Sequence, residues 1–395
     1  MAAPKNSDMG HQKHSAIARA AYGQFAREEW AIIGAPCSSI QQLSFDVIEK
    51  LATEFQIAYV DADHPAADAE TENGRDPRSA MAHGAQLEYI NKISYHRIDF
   101  EGEQSSYQYR QWFNGQDAVL VNGNHFTALR QLVVIDPRKE TSLQKKTDRL
   151  TQVDAIVLTD DQSAPYDFLQ KHLEGKNIPI FSITDIDGIA GLIKTGINQR
   201  RAPLYGLVLA GGRSVRMGQD KGLINYHGKA QRAFMADLLK NWCAHTFISC
   251  RPDQVEEIKE EYSVIADTFM DLGPFGAILS AFRAHPDAAW LVVACDLPNL
   301  DAAAIDCLVQ QRNASKIATT FRSPFDQFPE PLVTIWEPRS YPVLLQFLAQ
   351  GYSCPRKALI NSPTEILEPL QPESLVNVNQ PEELAQVIAK LTSTN

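Results

Sequence analysis

The chain has 395 residues, 44% of them apolar, which is enough for two buried cores and about two domains. Its formal net charge of −11 argues against a nucleic-acid groove, which needs a clustered excess of Lys and Arg. No run nears the roughly 18 apolar residues of a membrane span, and the stretch MAAPKNSDMGHQKH lacks the apolar core of a secretion signal, so a chain free of membrane in the cytoplasm is expected.

Residues 1–27 read as a tail, and His11 and His14 within it as unligated. From Ala31, AIIGAPCSSIQQLSFDVIEKL has the strand, turn and helix of a P-loop without its residues. Counting from Gly34, the second glycine is Ser39, the lysine is Ile40 and the hydroxyl is Gln41. Without the lysine and the magnesium-binding hydroxyl, tight triphosphate binding and hydrolysis are not expected here. Cys37 falls at the helix N-terminus, where a thiol pKa can drop, but reads first as a small packed side chain. Asp61, Asp63 and His64 form an acid–histidine cluster that reads as a solvated strand-end loop. The six cysteines contain no C-x-x-C pair and read as reduced structural thiols. Around the turn, IAYVDADH, DPRSAMAHGA and DAVLVNGNH resemble the small P-loop GTP-binding adaptor of molybdenum cofactor synthesis, over residues 28–193. Asn122 stands where that family usually has an acid, so the resemblance implies a degenerate GTPase serving as a scaffold.

Residues 194–203, KTGINQRRAP, are polar and basic with Gly and Pro, and read as a linker to a second domain, 204–395. Beyond it strands and helices alternate: LYGLVLA, a helix from Gln231 to Trp242, HTFISC, a charged helix from Gln254 to Glu261, and SVIA. A helix from Phe275 to Arg283, the strand AAWLVVAC and a helix from Asp301 to Gln311 come next. Strands near Ile317 to Phe321 and Leu332 to Trp336 follow, then helices from Tyr341 and Pro381. The expected fold class is α/β in two domains, a P-loop-like one and a doubly wound, mostly parallel, Rossmann-like sheet whose ligands sit at the carboxyl ends of the strands.

The segment LAGGRSVRMGQDK, Leu209 to Lys221, follows the strand LYGLVLA. Leu209, Ala210, Gly211 and Gly212 form a turn whose glycines can take positive φ and turn N–H groups toward phosphate oxygens, and Arg216 and Lys221 add two cations. Its spacing is neither a P-loop nor the G-x-G-x-x-G dinucleotide fingerprint. Asp296, in ACDLPNL, ends a continuously apolar strand before a proline turn. A carboxylate there suits magnesium, which takes one or two carboxylates together with water and phosphate oxygens.

The whole segment matches L-A-G-G-x-S-x-R-M-G-x-D-K, and so resembles the nucleotidyltransferases that build the molybdenum cofactor dinucleotide. In that family LAGG goes with guanylyl transfer, and LAAG is more usual in cytidylyl transfer. The resemblance implies Arg216, Lys221 and Asp296 as the charged catalytic groups, with Mg2+ on Asp296. It implies Asp267, in IADTFMDLGPFG, as the carboxylate that meets guanine, and Ser249, where the family often has Asn, as a nucleotide contact that Arg251 supplements. Asn377 and Asn379, in VNVNQPEEL, face the acceptor. Phe275 replaces a usual Leu, and GKA at Gly228 to Ala230 replaces G-x-P. The implied function is guanylyl transfer from GTP to the phosphate of molybdopterin or its molybdenum-loaded form. CTP as donor, another phosphorylated acceptor and a non-catalytic delivery scaffold stay open. Molybdoenzyme apoproteins and other cofactor-synthesis proteins are further candidate partners.

Overall fold

The computed structural model describes residues 25–62, 78–212 and 220–378, and the chain divides into two compact units, Met1–Gln199 and Arg200–Asn395. The expectations for His11, His14, Asp63, His64, Arg216, Asn379 and the helix from Pro381 lie outside the described residues. Among the described residues, no helix is long and apolar enough to cross a membrane.

In the first unit the strands are β1 (Glu29–Ile33), β2 (Ile57–Val60), β3 (Leu87–Asn91), β4 (His96–Phe100), β5 (Ala118–Asn122), β6 (Arg130–Ile135), β7 (Val153–Leu158) and β8 (Ile180–Ser182). The helices are α1 (Cys37–Leu51), α2 (Ser106–Trp112), α3 (Glu140–Gln144), α4 (Asp167–His172) and α5 (Ile186–Gln199). Six strands form one parallel sheet in the order β2-β5-β1-β6-β7-β8, and β3 and β4 pair separately as an antiparallel hairpin. Central strands β1 and β5 are buried throughout, as a parallel sheet covered on both faces requires. Helix α1 buries Ile40, Leu43, Val47 and Leu51, spaced three and four apart, against the same cluster as Ile189, Ile193 and Ile197 of α5. Ile197 continues that stripe, so residues 194–199, read from sequence as linker, are helix instead. The apolar spacing outweighs the local Gly and polar composition. At the turn after β1, Gly34 has φ 102°, and a Cβ there would lie 2.2 Å from the Val134 carbonyl oxygen, so only glycine fits.

The second unit contains β9 (Leu204–Leu209), β10 (His245–Cys250), β11 (Val264–Ala266), β12 (Ala289–Ala294), β13 (Ala318–Arg322), β14 (Pro329–Trp336) and β15 (Thr364–Leu367). Its helices are α6 (Gln231–Leu239), α7 (Val255–Ile258), α8 (Pro274–Ala284), α9 (Ala302–Gln310), α10 (Ser340–Ala349) and α11 (Pro355–Ile360). The seven strands run in the order β11-β10-β9-β12-β14-β13-β15. Strands β9 to β12 are parallel, whereas β14 is antiparallel to both β12 and β13. This is the expected α/β, mostly parallel sheet. Leu207, Trp290 and Val292 pack on one face with Phe275 and Phe282, while Val208, Leu291 and Val293 pack on the other with Met235 and Leu239, so apolar layers cover both faces. The charged helix expected over Gln254 to Glu261 is only the single turn α7, because Ile258 is its one fully buried apolar anchor. Helix α6 ends at Leu239 rather than Trp242, and α11 and β15 had no expected counterpart.

Candidate active site

Four parallel strands deliver the candidate residues to one edge of the second sheet. Strand β9 ends at Leu209, β10 carries Ser249 at its end, Asp267 follows β11 directly, and Asp296 lies two residues past β12. The turn after β9 is anchored where the Ala210 N–H donates to the Ser249 carbonyl at 3.0 Å. Neither Gly211 nor Gly212 has positive φ, against the sequence expectation. Gly211 is in close approach instead: a Cβ there would stand 3.1 Å from Asp267 Oδ2 and 3.4 Å from the Arg251 nitrogen, so Asp267 would have to give by a few tenths of an ångström, whereas a Cβ on Gly212 would meet nothing within 4 Å. The backbone therefore runs against Asp267 at one glycine and borders open space at the next.

Lys221 opens a 3₁₀ turn, Lys221–Leu223, whose N-cap is Asp220. Asp220 accepts from the Gly222 N–H at 2.8 Å and from Gln254 Nε2 at 2.9 Å. This capping fixes where the lysine leaves the backbone. Lys221 Nζ lies 3.3 Å from Asp296 Oδ2, and the two side chains are 21% and 20% exposed. The other carboxylate oxygen, Oδ1, is buried, and among the described residues nothing donates to it. Asp301, not Asp296, caps the helix that follows, accepting from the Ala304 N–H at 2.9 Å. Asp296 is thus free of a capping duty. Its main-chain oxygen accepts from the Val378 N–H at 2.8 Å, which brings exposed Asn377 beside this corner.

The Ser249 hydroxyl donates to Asp267 Oδ1 at 2.7 Å, so its proton is committed to holding the carboxylate. Burial raises the Asp267 pKa, opposed by that hydrogen bond and by the charge of Arg251. Arg251 donates to the Gly211 carbonyl at 3.0 Å and pairs with Asp253 at 3.1 Å, clamping the glycine turn. Sequence reasoning missed Asp220, Gln254 and Tyr226. Burial, with the nearby charge of Asp296, pushes the Tyr226 phenol up to about 12, so it is a proton donor at neutral pH.

In the first unit, Ile40 is fully buried and Gln41 exposed, so neither presents a cation or hydroxyl to the turn at Gly34. Cys37, read as a packed side chain, is instead part-exposed with its sulfur 3.3 Å from His125 Nε2 and 3.5 Å from Asn124 Nδ2. Burial would raise this thiol, but Asn124, Asn122 and His125 together bring it below its ordinary value. Asp61 accepts from Tyr59 at 2.6 Å and from Asn122 at 2.8 Å, which makes it a fixed strand-end acceptor rather than a solvated one. Cys243 and Cys250 are buried free thiols pushed up to about 12 and about 11 by burial, as structural cysteines should be. Among the described residues, no three His, Cys, Asp or Glu side chains converge as a metal cluster.

A glycine turn, a lysine and a strand-end carboxylate meet at the carboxyl edge of a parallel sheet, where folds of this kind bind their ligands. Residues 206–366 match the MobA-like NTP transferase domain. A molybdenum cofactor guanylyltransferase of Pseudomonas putida is 31% identical over 181 residues, 45% of this chain and 94% of that protein. A molybdenum cofactor biosynthesis bifunctional protein of Synechocystis is 34% identical over 188 residues, 47% of this chain but only 54% of its own length. A solved structure, molybdopterin-guanine dinucleotide biosynthesis protein A of Archaeoglobus fulgidus, is 20% identical with a TM-score of 0.42, covering 48% of this chain and 99% of that one. The chain belongs to the molybdenum cofactor guanylyltransferase family.

Proposed function

We propose that residues 204–395 transfer GMP from GTP to the terminal phosphate of molybdopterin, or of its molybdenum-loaded form. The observation that carries this reading is the Lys221–Asp296 pair at the sheet edge, with Asp267 set against the glycine turn a few residues away in space. An acceptor phosphate oxygen attacks the α-phosphorus of GTP, the bond to the bridging oxygen breaks, and pyrophosphate leaves with that electron pair. A phosphate monoester with a second pKa of about 6 is already largely dianionic at neutral pH, so no base is needed. The protein has to overcome repulsion between anions and align them.

Lys221, and Arg216 outside the described residues, supply fixed positive charge to the triphosphate. Asp267 accepts from the guanine ring N–H and exocyclic amine, held in place by Ser249. The buried, unaccompanied Oδ1 of Asp296 fits a hard cation, and Asp296 would hold Mg2+ there with the nucleotide. When bound, that ion neutralises charge on the phosphate oxygens. Asn377, and Asn379 outside the described residues, contact the acceptor. The reading places the protein in the cytoplasm.

Residues 28–193 of the first unit are a retired P-loop domain acting as a scaffold in this proposal, with molybdoenzyme apoproteins or other cofactor-synthesis proteins as its partners. Ile40 and Gln41 leave the turn at Gly34 only backbone donors for an anion. One triphosphate per chain is therefore expected. At about 100 times Kd, GTP should raise the melting temperature of the second unit by roughly 5–10 °C. ATP, CTP and UTP should do markedly less, and equilibrium dialysis should give one GTP per intact chain. Stabilisation by CTP alone would remove the guanylyl assignment, and two GTP per chain would overturn the scaffold reading.

A further inference from the structure

Strand β14 runs antiparallel to β12 with Val293 opposite Val333. Carrying that register on by three residues sets Glu330 level with Asp296. The connection from β13 to β14, residues 323–328, therefore meets the same sheet edge as the glycine turn. Within it Phe325 is 70% exposed and Phe328 51% exposed, large apolar surface turned outward. Glu330 beside them is 6% exposed. Its Oε1 accepts from the Leu332 N–H at 3.3 Å, and its Oε2 has Arg356 at 3.5 Å, a long contact because that guanidinium also pairs with Asp326 at 2.6 Å. Burial raises the Glu330 pKa, and the charges of Asp296 and Asp326 add to the rise against the pull of Arg356. A buried carboxylate with so little compensation is costly unless a ligand completes it.

We infer that Glu330, with Phe325 and Phe328, is the subsite for the pterin ring of the acceptor. This rests on the reading of the acceptor as molybdopterin. A 2-amino-4-oxo-pyrimidine edge presents two parallel N–H donors, which a carboxylate accepts in bidentate fashion, and the flat ring covers the exposed phenyl groups. Guanine has the same edge, but Asp267 lies on the far side of the phosphate groups. Along the sheet the order is Asp267 after β11, Ser249 on β10, the glycine turn after β9, Asp296 after β12 and Glu330 on β14. Asp267 reaches back to Ser249 and to the Gly211 turn, so its carboxylate lies on the β10 and β9 side, and Glu330 on β14 stands beyond Asp296 on the other.

Two ligands that need no turnover test this: 6-hydroxymethylpterin and its 2,4-dioxo counterpart, which lacks the amine donor, titrated by fluorescence into the full chain. The wild-type protein should prefer the pterin by about tenfold or more. Glu330→Gln, which keeps the shape, should abolish the preference, and Phe325→Ala with Phe328→Ala should weaken both ligands. GTP affinity should stay within about twofold in every variant. The same preference in Glu330→Gln as in the wild type, or no preference in the wild type, would overturn the subsite. So would a rise in the Mg2+ needed for GTP binding, which would make Glu330 a metal ligand. A wild-type protein that shows the preference but transfers no nucleotide to molybdopterin would leave the subsite standing and remove the guanylyltransferase reading.

Discussion

Asp296→Ala should lower guanylyl transfer by on the order of 100-fold or more while the second unit keeps its fold. Losing a preorganised charge at the reacting phosphates commonly costs that much. The fold should survive because the structural contact at this position, from the Val378 N–H, goes to the main-chain oxygen, which alanine retains. Among the described residues the carboxylate itself is bonded only to Lys221 on one oxygen, and nothing donates to the other. Steady-state rates over a Mg2+ titration, with circular dichroism on the same sample, check both halves of the statement. Turnover within a few-fold of the parent would show that Asp296 holds no metal.

Lys221→Ala should weaken GTP binding by roughly 10- to 100-fold, the range expected for losing one or two charge-assisted hydrogen bonds to phosphate. Molybdopterin binding should change by less than about threefold. The asymmetry follows from charge: Lys221, leaving a turn fixed by Asp220 and Gln254, reaches Asp296, where GTP brings three phosphate groups and the acceptor one. Removing it also leaves Asp296 beside the triphosphate without its cation, so repulsion adds to the lost attraction. Calorimetry with each ligand separates these effects. Equal losses for GTP and pterin would show the lysine supporting the scaffold instead.

What could be read from sequence was what is local in the chain. The turn from Leu209 to Lys221 and the strand-end aspartates were visible because each motif sits at the end of an apolar run, and a parallel sheet brings such ends to one edge. The reasons for particular residues were not visible, because they depend on partners far along the chain. Gly211 lies close against Asp267, and no local turn rule contains that contact. Ser249, expected at the nucleotide, donates to the same aspartate. Glu330 comes level with Asp296 only through antiparallel pairing of β14 with β12, a register no periodicity announces. Cys37 and His125 meet across 88 residues, so the thiol looked like packing. At residues 194–199 the error ran the other way: Gly and basic composition suggested a linker, but Ile193 and Ile197 keep the helix against the sheet.

The most direct test of guanylyl transfer uses the full chain with Mg2+, molybdopterin and GTP labelled at its α-phosphorus. Label should move from GTP into a pterin–guanine dinucleotide, with one pyrophosphate released for each label transferred, and labelled CTP should transfer at a far lower rate. Label that stays in the nucleotide pool, or that reaches the pterin only from CTP, would contradict the assignment of guanylyl transfer to this site.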